Sequence, residues 1–300
     1  MPIQTKAGYV AIIGKPNAGK STLMNAIVGA KLSIVTPKPQ TTRKRVLGIY
    51  SDDNMQIVFL DTPGILSPKY KMQEAMMNYV SSSVYEADCV IYICDASKYK
   101  EGQLKQGSIK NTLAKIQKDK KIICILNKLD LLRDVKETLP MIAEMNSLEL
   151  FSDIIPISAL KENNIKNVVD TISNYLPVMP FYYDAEMLST QPERFFVSEI
   201  IRERIFLSYG EEIPYSTEVN IIEFKEREVG KWYINVEIII EKTSQKGIII
   251  GKNGEKLKSL LADSRHAIEE HLQVGVYLEA FVKVRPKWRN NNTFLKSFGY

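Results

Sequence analysis

The chain has 300 residues, a formal net charge of +5 at pH 7, and apolar and charged fractions of 45% and 25%. These values describe an ordinary globular protein with about two domains, each large enough to bury its own core. No apolar run approaches the roughly 20 residues of a bilayer span, and the N-terminus lacks a signal-peptide pattern, so we expect a cytosolic protein. The cysteines lie in apolar strand-like runs without metal-type spacing, so we expect reduced core thiols at Cys89, Cys94 and Cys124.

Apolar strand-like runs alternate with helical patterns through the first 180 residues. We predict strands near 8–14, 45–50, 55–60, 88–94, 121–126 and 153–157. The second and third strands are close enough for a hairpin, which makes one edge strand antiparallel in a mostly parallel α/β sheet. In such a sheet, ligands bind at the carboxyl ends of the strands.

The first strand leads into a glycine-rich loop, Gly-Lys-Pro-Asn-Ala-Gly-Lys-Ser, and a helical pattern follows it. In this P-loop setting, backbone amides surround a phosphate at a helix N-terminus. Lys20 reaches the β- and γ-phosphates, and the hydroxyl of Ser21 ligates Mg²⁺. The predicted nucleotide contacts of this loop are Gly14, Asn17, Ala18, Gly19, Lys20, Ser21 and Thr22.

Two motifs after later strands complete the phosphate site and select the base. In Asp61-Thr62-Pro63-Gly64, the carboxylate of Asp61 can help to bind Mg²⁺, and the backbone amide of Gly64 can donate a hydrogen bond to the γ-phosphate. In Asn127-Lys128-Leu129-Asp130, the carboxylate of Asp130 can accept hydrogen bonds from N1 and the exocyclic amine of guanine, and adenine lacks this donor pair. The sequence therefore predicts binding of GTP and GDP.

The remaining base contacts come from Lys128 and from the motif Ser158-Ala159-Leu160. The alkyl chain of Lys128 can lie along the base, and the backbone amide of Ala159 can donate to guanine O6. Four such motifs in this order, each after a strand-like run, indicate a guanine-nucleotide domain.

The segment Thr36-Pro37-Lys38-Pro39-Gln40-Thr41-Thr42-Arg43 resembles switch I of the Era family of P-loop GTPases. The resemblance implies that a threonine of the Thr-Thr-Arg motif binds Mg²⁺ when the γ-phosphate is present. We take Thr42 as this residue and Thr41 as the alternative. Such a hydroxyl gives the loop two arrangements, one for each nucleotide state. The expected metal ligands are Ser21, Thr42 and Asp61.

Ile65 occupies the position after Gly64, where many regulatory GTPases have a glutamine that orients the attacking water. Unaided GTP hydrolysis should therefore be slow, unless backbone groups, an ion or a partner protein positions the attacking water. The resemblance implies that K⁺ is held beside the phosphates with help from Asn17; the alternative is that Asn17 is an ordinary turn residue. The predicted catalytic residues are Asn17, Lys20, Thr42 and Gly64.

A proline-punctuated stretch near residue 180 predicts a linker. We divide the chain into a GTPase domain at 1–180, a linker at 181–192 and a second domain at 193–300. The second domain shows an α-β-β-α-α-β order, and it resembles a KH domain of the bacterial type, which is a smaller α+β fold.

The loop Gly251-Lys252-Asn253-Gly254 lies between the last two predicted helices of this domain. In KH modules a Gly-x-x-Gly loop contacts the backbone of about four unpaired nucleotides, because glycine permits a close approach. We also expect bases to lie on an apolar groove, and basic residues with a stacking tryptophan to contact RNA near the C-terminus. The predicted RNA contacts are Ile249, Ile250, Gly251, Lys252, Asn253, Gly254, Lys283, Arg285, Lys287, Trp288 and Arg289.

The charge of the chain does not by itself indicate RNA. Residues 1–180 carry 23 Lys and Arg against 17 Asp and Glu, and residues 181–300 carry 17 against 18, so the net charges are +6 and −1. Any basic surface must be local, and each lysine run can instead be an ordinary solvated face. Residues 194–203 and 281–289 are similar to the opening and the end of the KH domain in Era proteins, so the resemblance covers nearly the whole chain.

The resemblance implies a GTP-hydrolysing switch that binds the 3′ end of 16S ribosomal RNA, assists assembly of the 30S ribosomal subunit and acts as a monomer in the cytoplasm. One alternative is a nucleotide-gated RNA chaperone with incidental turnover, which Ile65 keeps open. A second is a peripheral membrane or cell-division GTPase, although no amphipathic anchor or lipidation signal is evident. No sequence motif shows how the two halves are coupled.

Overall fold

The computed structural model describes residues 5–105 and 107–300. These residues form two compact units. The first unit comprises the chain up to Ser33, together with Thr42–Ser67 and Met76–Thr190. The second comprises Ile34–Thr41, Pro68–Ala75 and Gln191–Tyr300. The boundary between the units therefore does not fall at a single point in the sequence, because two short early segments cluster with the C-terminal part of the chain.

A six-stranded sheet in the order β2-β3-β1-β4-β5-β6 forms the centre of the first unit. Strand β2 is antiparallel to β3, and the other neighbours are parallel. The β2–β3 turn is stabilised by the Asp52 carboxylate, which accepts from the N–H groups of Asn54 and Met55 at 2.8 and 2.9 Å. The strands are β1 Lys6–Gly14, β2 Val46–Ser51, β3 Met55–Asp61, β4 Cys89–Asp95, β5 Lys121–Asn127 and β6 Asp153–Pro156. The predicted mostly parallel sheet and its hairpin are confirmed.

Helices cover this sheet, and their apolar faces build the core with the strands. One core cluster joins buried residues of β1, β4 and β5 to Leu113 and Met145 of the helices. The cysteines are buried free thiols, as expected, and burial raises the pKa of Cys89 to about 12. The helices are α1 Lys20–Val28, α2 Lys71–Glu86, α3 Ser108–Gln117, α4 Thr138–Ser147 and α5 Ile165–Ser173.

The parallel strands bring their polar terminal residues to one edge of the sheet. Strand β1 ends at Gly14, β3 at Asp61, β4 at Asp95 and β5 at Asn127. In the register of the sheet, Asp95 pairs with Asn127. Strand β1 lies between β3 and β4, and such a reversal of strand order opens a crevice for ligands at the carboxyl ends.

The second unit contains a three-stranded sheet in the order β7-β8-β9 with helices packed on it. Strands β7 and β8 are antiparallel, and β8 and β9 are parallel. The elements are α6 Glu193–Ser208, α7 Ile213–Ser216, β7 Glu218–Lys225, β8 Trp232–Ile240, α8 Thr243–Ile250, α9 Glu255–Leu272, β9 Val276–Val284 and α10 Asn292–Ser297. The predicted α-β-β-α-α-β order is confirmed as α6-β7-β8-α8-α9-β9.

Two short helices of this unit were not predicted. Helix α7 precedes the first strand of this unit, because Pro214 suits a first helical turn and the N–H of Ser216 donates to the carbonyl of Glu212. Strand β7 therefore begins at Glu218. Helix α10 is capped by Asn291, whose side chain accepts hydrogen bonds from the backbone N–H groups of Thr293 and Phe294.

The segment 34–41, here called the switch segment, packs against α6 within the second unit. The ammonium group of Lys38 donates to the backbone carbonyls of Phe206 and Tyr209 at the C-terminal end of α6. The last carbonyls of a helix accept hydrogen bonds from groups outside it, and the helix dipole favours a cation at this end. Lys38 therefore fastens the switch segment to α6.

Two further contacts hold the same region. The backbone N–H of Val35 donates to the buried carboxylate of Glu203 on α6, at 3.1 Å. The side chain of Gln73 donates to that of Gln40 at 3.0 Å, which joins the segment 68–75 to the switch segment.

In residues 5–105 and 107–300, no helix is long and apolar enough to cross a bilayer.

Candidate functional site

The P-loop lies at the carboxyl end of β1, against the end of β5. Asn17 and Gly19 have left-handed backbone conformations, with φ of 61° and 102°. Alternation of right- and left-handed residues turns successive N–H groups inward to form a concave nest for an anion. A Cβ atom on Gly19 would lie 2.1 Å from Nδ2 of Asn127, so only glycine fits this close approach. The loop is therefore shaped for phosphate and held by β5.

Lys20 is buried beneath this loop. Its ammonium group donates to the carbonyls of Gly14 and Lys15, at 3.4 and 3.1 Å. Burial lowers the pKa of Lys20 to about 8, and the charge of Asp61 opposes that shift in part. A bound anion would favour the charged form of the lysine. The position and environment of Lys20 thus fit a phosphate group.

Four oxygen-bearing side chains meet beside the start of α1. The hydroxyl of Ser21 donates to Oδ2 of Asp61 at 2.6 Å, and the hydroxyl of Ser33 donates to the same atom at 2.9 Å. The hydroxyls of Ser21 and Thr42 are 2.9 Å apart. Burial raises the pKa of Asp61, while bonds from Ser21 and Ser33 and the charge of Lys20 lower it.

The second oxygen of Asp61 indicates what this cluster can hold. Oδ1 is buried and has no hydrogen-bond partner within the described part of the chain. A buried polar atom without a partner is costly, and a divalent cation would satisfy it and stabilise the ionised carboxylate. The donors, which are hydroxyls and a carboxylate, are the oxygen ligands that Mg²⁺ prefers. The residues present therefore fit Mg²⁺.

Asn127 joins the P-loop to the loop after β6. Its Nδ2 donates to the carbonyl of Ala18 at 2.9 Å, and its Oδ1 accepts from the backbone N–H of Ala159 at 2.9 Å. Asn127 therefore positions both loops. The N–H of Ala159, predicted to bond guanine O6, already has a partner, so a bond to the base requires that this N–H be shared or exchanged.

The predicted base-binding residues lie around this junction. The hydroxyl of Ser158 donates to Oδ1 of Asp130 at 2.5 Å, which orients the carboxylate. Lys128 has φ of 71°, and its ammonium group pairs with Asp95 at 2.7 Å. The side chain of Leu160 is exposed. Sequence reasoning missed Asp95, although an acidic residue at the end of a buried strand is the same signal that pointed to Asp61.

Gly64 and Ile65 lie against the P-loop. A Cβ atom on Gly64 would lie 2.6 Å from the backbone nitrogen of Pro16, so a larger residue cannot occupy this place without a shift. The N–H of Ile65 donates to the carbonyl of Gly14 at 2.9 Å, and its side chain packs on the core cluster. The position that often carries a water-orienting glutamine thus holds an apolar side chain that contributes to the core.

The Gly-x-x-Gly loop joins α8 to α9 in the second unit. Gly251, Asn253 and Gly254 have φ of 72°, 52° and 77°. A Cβ atom on Gly254 would meet nothing within 4 Å, so the backbone there is open to an approaching molecule. Helix α9 has 18 residues and begins directly after this glycine, and its N-terminus favours an anion. Lys252 is exposed within the loop.

Known proteins match both units. A family model described as a 50S ribosome-binding GTPase matches residues 9–128, and a KH-domain model matches residues 212–289. GTPase Era of Clostridium botulinum (strain Alaska E43 / Type E3) is 42% identical over 98% of either chain. The chloroplastic GTPase ERA-like protein of Oryza sativa subsp. japonica is 44% identical over 98% of this chain and 69% of its own.

The chain belongs to the Era family of GTPases. Its structure is also similar to that of an Aquifex aeolicus Era variant bound to GDP·AlF4⁻, with a TM-score of 0.91 and 39% identity over 99% of both chains. The same values hold for Era in complex with MgGDPNP and nucleotides 1506–1542 of 16S ribosomal RNA. The predicted fold class, the GTPase activity and the guanine-nucleotide cofactor with Mg²⁺ are thereby confirmed.

The structure corrects one predicted RNA contact of this Era-family protein. Trp288 is 0% exposed, its Nε1 donates to the carbonyl of Ser216 at 2.9 Å, and its ring packs edge-on against Phe298. A fully buried ring cannot stack on a base. Trp288 is therefore a core residue, and its basic neighbours in the sequence do not reveal this.

A second correction concerns the three isoleucines before the Gly-x-x-Gly loop. Ile249 is fully buried in the core of the second unit and cannot line an open groove. Ile250 is partly buried against the same core, and Ile248 is exposed. Helical spacing separates these faces, because adjacent residues on a helix point about 100° apart. Of the three isoleucines, only Ile248 is exposed.

The C-terminal basic residues do not form one free basic patch. Lys283 pairs with Glu237 at 2.7 Å, and Arg289 pairs with Glu241 and lies 4.8 Å from the ring centre of Tyr70. The guanidinium of Arg285 lies 5.5 Å from the ring centre of Phe294, whereas Lys287 is exposed. Lys283 and Arg289 could contact a phosphate only by giving up these pairs.

Proposed function

We propose that this chain is a GTP-hydrolysing switch that binds the 3′ end of 16S ribosomal RNA and assists assembly of the 30S subunit. One observation carries the proposal. The switch segment, 34–41, is flanked by Ser33, which bonds Asp61, and by Thr42, which bonds Ser21, and it clusters with the compact unit that contains the Gly-x-x-Gly loop. A change at the ends of this segment can therefore reach α6 through the chain itself.

The nucleotide end of the switch would work through four side chains. Ser21, Thr42 and Asp61 would hold Mg²⁺, and Lys20 would neutralise the β- and γ-phosphates. The bound metal would supply charge stabilisation for the departing phosphate. The contact between the Ser21 and Thr42 hydroxyls supports Thr42 over Thr41, because Thr41 instead donates to the carbonyl of Lys38 at 2.8 Å. Loss of the γ-phosphate would weaken the binding of Thr42 to the metal, so that the switch segment could adopt its other arrangement.

Positioning of the attacking water would not come from Ile65, whose apolar side chain is partly buried against the core. We propose that K⁺ bound beside Asn17, together with the backbone amide of Gly64, positions the attacking water. The family resemblance and the place of Asn17 in the phosphate loop support it, whereas its left-handed backbone fits a turn residue equally well. Replacing K⁺ with Na⁺ at constant ionic strength should slow GTP hydrolysis, and unchanged rates would mean that Asn17 is only a turn residue.

The RNA end of the switch would use the Gly-x-x-Gly loop. The open backbone at Gly254 and the N-terminus of α9 would receive phosphates of an unpaired strand, and Lys252 would add charge. The choice of RNA rests on the related Era structure that holds nucleotides 1506–1542 of 16S ribosomal RNA. Both chains are covered over 99% in that comparison, whereas the model named for the 50S subunit matches residues 9–128 alone.

The division into a GTPase domain at 1–180, a linker at 181–192 and a KH domain at 193–300 remains our proposal, with the switch segment shared between functions. We also propose a monomer that works in the cytoplasm. Peripheral association with a membrane stays an alternative, which vesicle co-sedimentation at physiological salt would test.

Fluorescence anisotropy of a labelled single-stranded RNA with the 16S 3′ end tests the proposal. The protein is loaded with GDP or a non-hydrolysable GTP analogue, and a scrambled RNA and a 23S-derived strand serve as controls. We expect tighter, sequence-dependent binding in the GTP state that Gly254→Asp abolishes. Equal affinity in both states would refute coupling through RNA binding, and preference for the 23S strand would refute the assignment to the small subunit.

A nucleotide-gated RNA chaperone with incidental turnover is the second candidate, and the apolar Ile65 favours it. In that case GTP binding alone would set the RNA affinity. Hydrolysis that neither K⁺ nor RNA accelerates, together with nucleotide-dependent RNA binding, would identify this function.

A further inference from the structure

The outer face of the three-stranded sheet carries exposed aromatic side chains that the proposed switch does not use. Along β8 and β9, alternate residues such as Ile234, Val236 and Val282 are buried beneath the helices. The residues between them point to the opposite face. There, Tyr277 is 54% exposed and Phe281 is 61% exposed. Large exposed aromatic residues on one sheet face mark an interaction surface.

The aromatic residues form an ordered arrangement around one carboxylate. Tyr233 and Tyr277 are paired in the sheet register, and their rings stack with centres 6.0 Å apart and planes 17° apart. Both hydroxyls donate to Glu279, at 2.7 and 3.3 Å. Glu279 lies between Tyr277 and Phe281 along the outer side of the edge strand β9. Two tyrosine hydroxyls therefore hold the carboxylate on this face, next to the exposed Tyr277.

A cation already occupies one side of this arrangement. The ammonium group of Lys225 lies 5.8 Å from the ring centre of Tyr233, and it pairs with Glu223. Lys283 pairs with Glu237 on the same face. Each lysine thus has its own glutamate, whereas Glu279 has no cationic partner among residues 5–105 and 107–300. The Tyr277–Phe281 side of the face consequently offers two π surfaces and one uncompensated negative charge.

We propose that the face formed by Tyr277, Glu279 and Phe281 binds an arginine-containing basic segment of a partner protein. A guanidinium is planar, stacks on aromatic rings and pairs with a carboxylate at the same time. The face holds the groups for each of these contacts, and Lys225 on Tyr233 shows that a cation is accommodated at the neighbouring ring. A nucleic acid is disfavoured, because Glu279 would repel phosphate and both lysines are paired.

The proposal is independent of the nucleotide site and of the Gly-x-x-Gly loop. The test uses the full chain and a fluorescein-labelled peptide of four arginines alternating with glycine, at about 0.15 M salt to suppress long-range attraction. The same peptide with lysine, a serine–glycine peptide and a single-stranded RNA are the comparison probes. Phe281→Ser and Glu279→Gln alter the face. The two tyrosines donate to different oxygens of Glu279, so glutamine keeps one as an acceptor, and its amide NH2 can donate to the hydroxyl of the other tyrosine.

We expect the arginine peptide to bind, to exceed the lysine peptide, and to lose about three- to tenfold in affinity with either substitution. Two control variants should leave peptide binding unchanged: Tyr85→Ser, at an exposed tyrosine of the first unit, and Gly254→Asp in the RNA loop. Thermal melting verifies that each variant is folded, and Glu279→Gln carries the test if Phe281→Ser is unstable.

Three results would overturn the proposal: no binding of the arginine peptide, binding that neither substitution weakens, or a loss of RNA affinity in the face variants. The last result would assign the face to nucleic acid instead of protein.

Discussion

The hydroxyl groups of Ser21 and Thr42 lie 2.9 Å apart, although the residues are 21 positions apart in the chain. Thr41, the neighbouring threonine, bonds Thr36 at 2.6 Å and the carbonyl of Lys38 at 2.8 Å. Two adjacent threonines thus belong to different compact units. Thr42 lies beside Ser21, a proposed metal ligand, whereas Thr41 bonds residues of the switch segment.

Thr42→Val should therefore slow GTP hydrolysis by at least about tenfold, because it removes a proposed Mg²⁺ ligand of the triphosphate state. Thr41→Val, the matched control, should reduce the rate far less. Single-turnover phosphate release at saturating GTP measures both. If Thr41→Val were the more damaging change, the metal threonine would have to be reassigned.

Asp130→Asn should weaken GTP binding by about 10- to 100-fold, since it replaces an acceptor of two guanine hydrogen bonds by a group that is partly a donor. The same variant should gain affinity for xanthosine triphosphate, whose second carbonyl accepts a bond from the new amide. Competition against a fluorescent GDP measures these affinities. The control is Asp134→Asn, at a residue that caps a short helix outside the site, and it should bind GTP normally. Unchanged base preference in Asp130→Asn would remove this residue from the base site.

Lys38→Met should lower the free energy of unfolding by about 1 to 2 kcal/mol. The change leaves the carbonyls of Phe206 and Tyr209 without their cation at the end of α6. Lys69→Met, at an exposed lysine of the neighbouring segment, should stay within about 0.5 kcal/mol of the original protein. Urea unfolding followed by circular dichroism gives both values, and equal stability of the two variants would mean that Lys38 does not fasten the switch segment.

Trp288→Phe and Gly254→Asp should have opposite effects. Trp288→Phe should lower the free energy of unfolding by about 2 kcal/mol, because it removes buried volume and the bond to Ser216, while the folded protein keeps its RNA affinity. Gly254→Asp should lose RNA affinity through charge repulsion, with a stability change of at most about 1 kcal/mol, because aspartate tolerates left-handed backbone. Thermal melting and RNA anisotropy on both variants check this. A direct loss of RNA affinity in folded Trp288→Phe would restore the tryptophan to the RNA site.

The motifs were predictable because their chemistry is local. The P-loop, Asp61, the Asn127 motif and the Gly-x-x-Gly loop each depend on residue types at a fixed spacing beside one strand or helix, and the sheet then brings the strand ends together. Asp95 carried the same signal at the end of β4. Ser33 carried none, because a single serine in a loop has no spacing to a partner, and only the fold brings it to Asp61 at 2.9 Å.

The sequence by itself determined the order of elements, the guanine-nucleotide chemistry and the kind of RNA module, since short-range pattern and residue type are sufficient for these. Only the tertiary structure determined which face of an element is buried. It placed Trp288 and Ile249 in the core, paired Arg289 with Glu241, and joined the switch segment to α6 through Lys38. Burial and ion pairing depend on residues distant in the chain, and no local pattern contains that information.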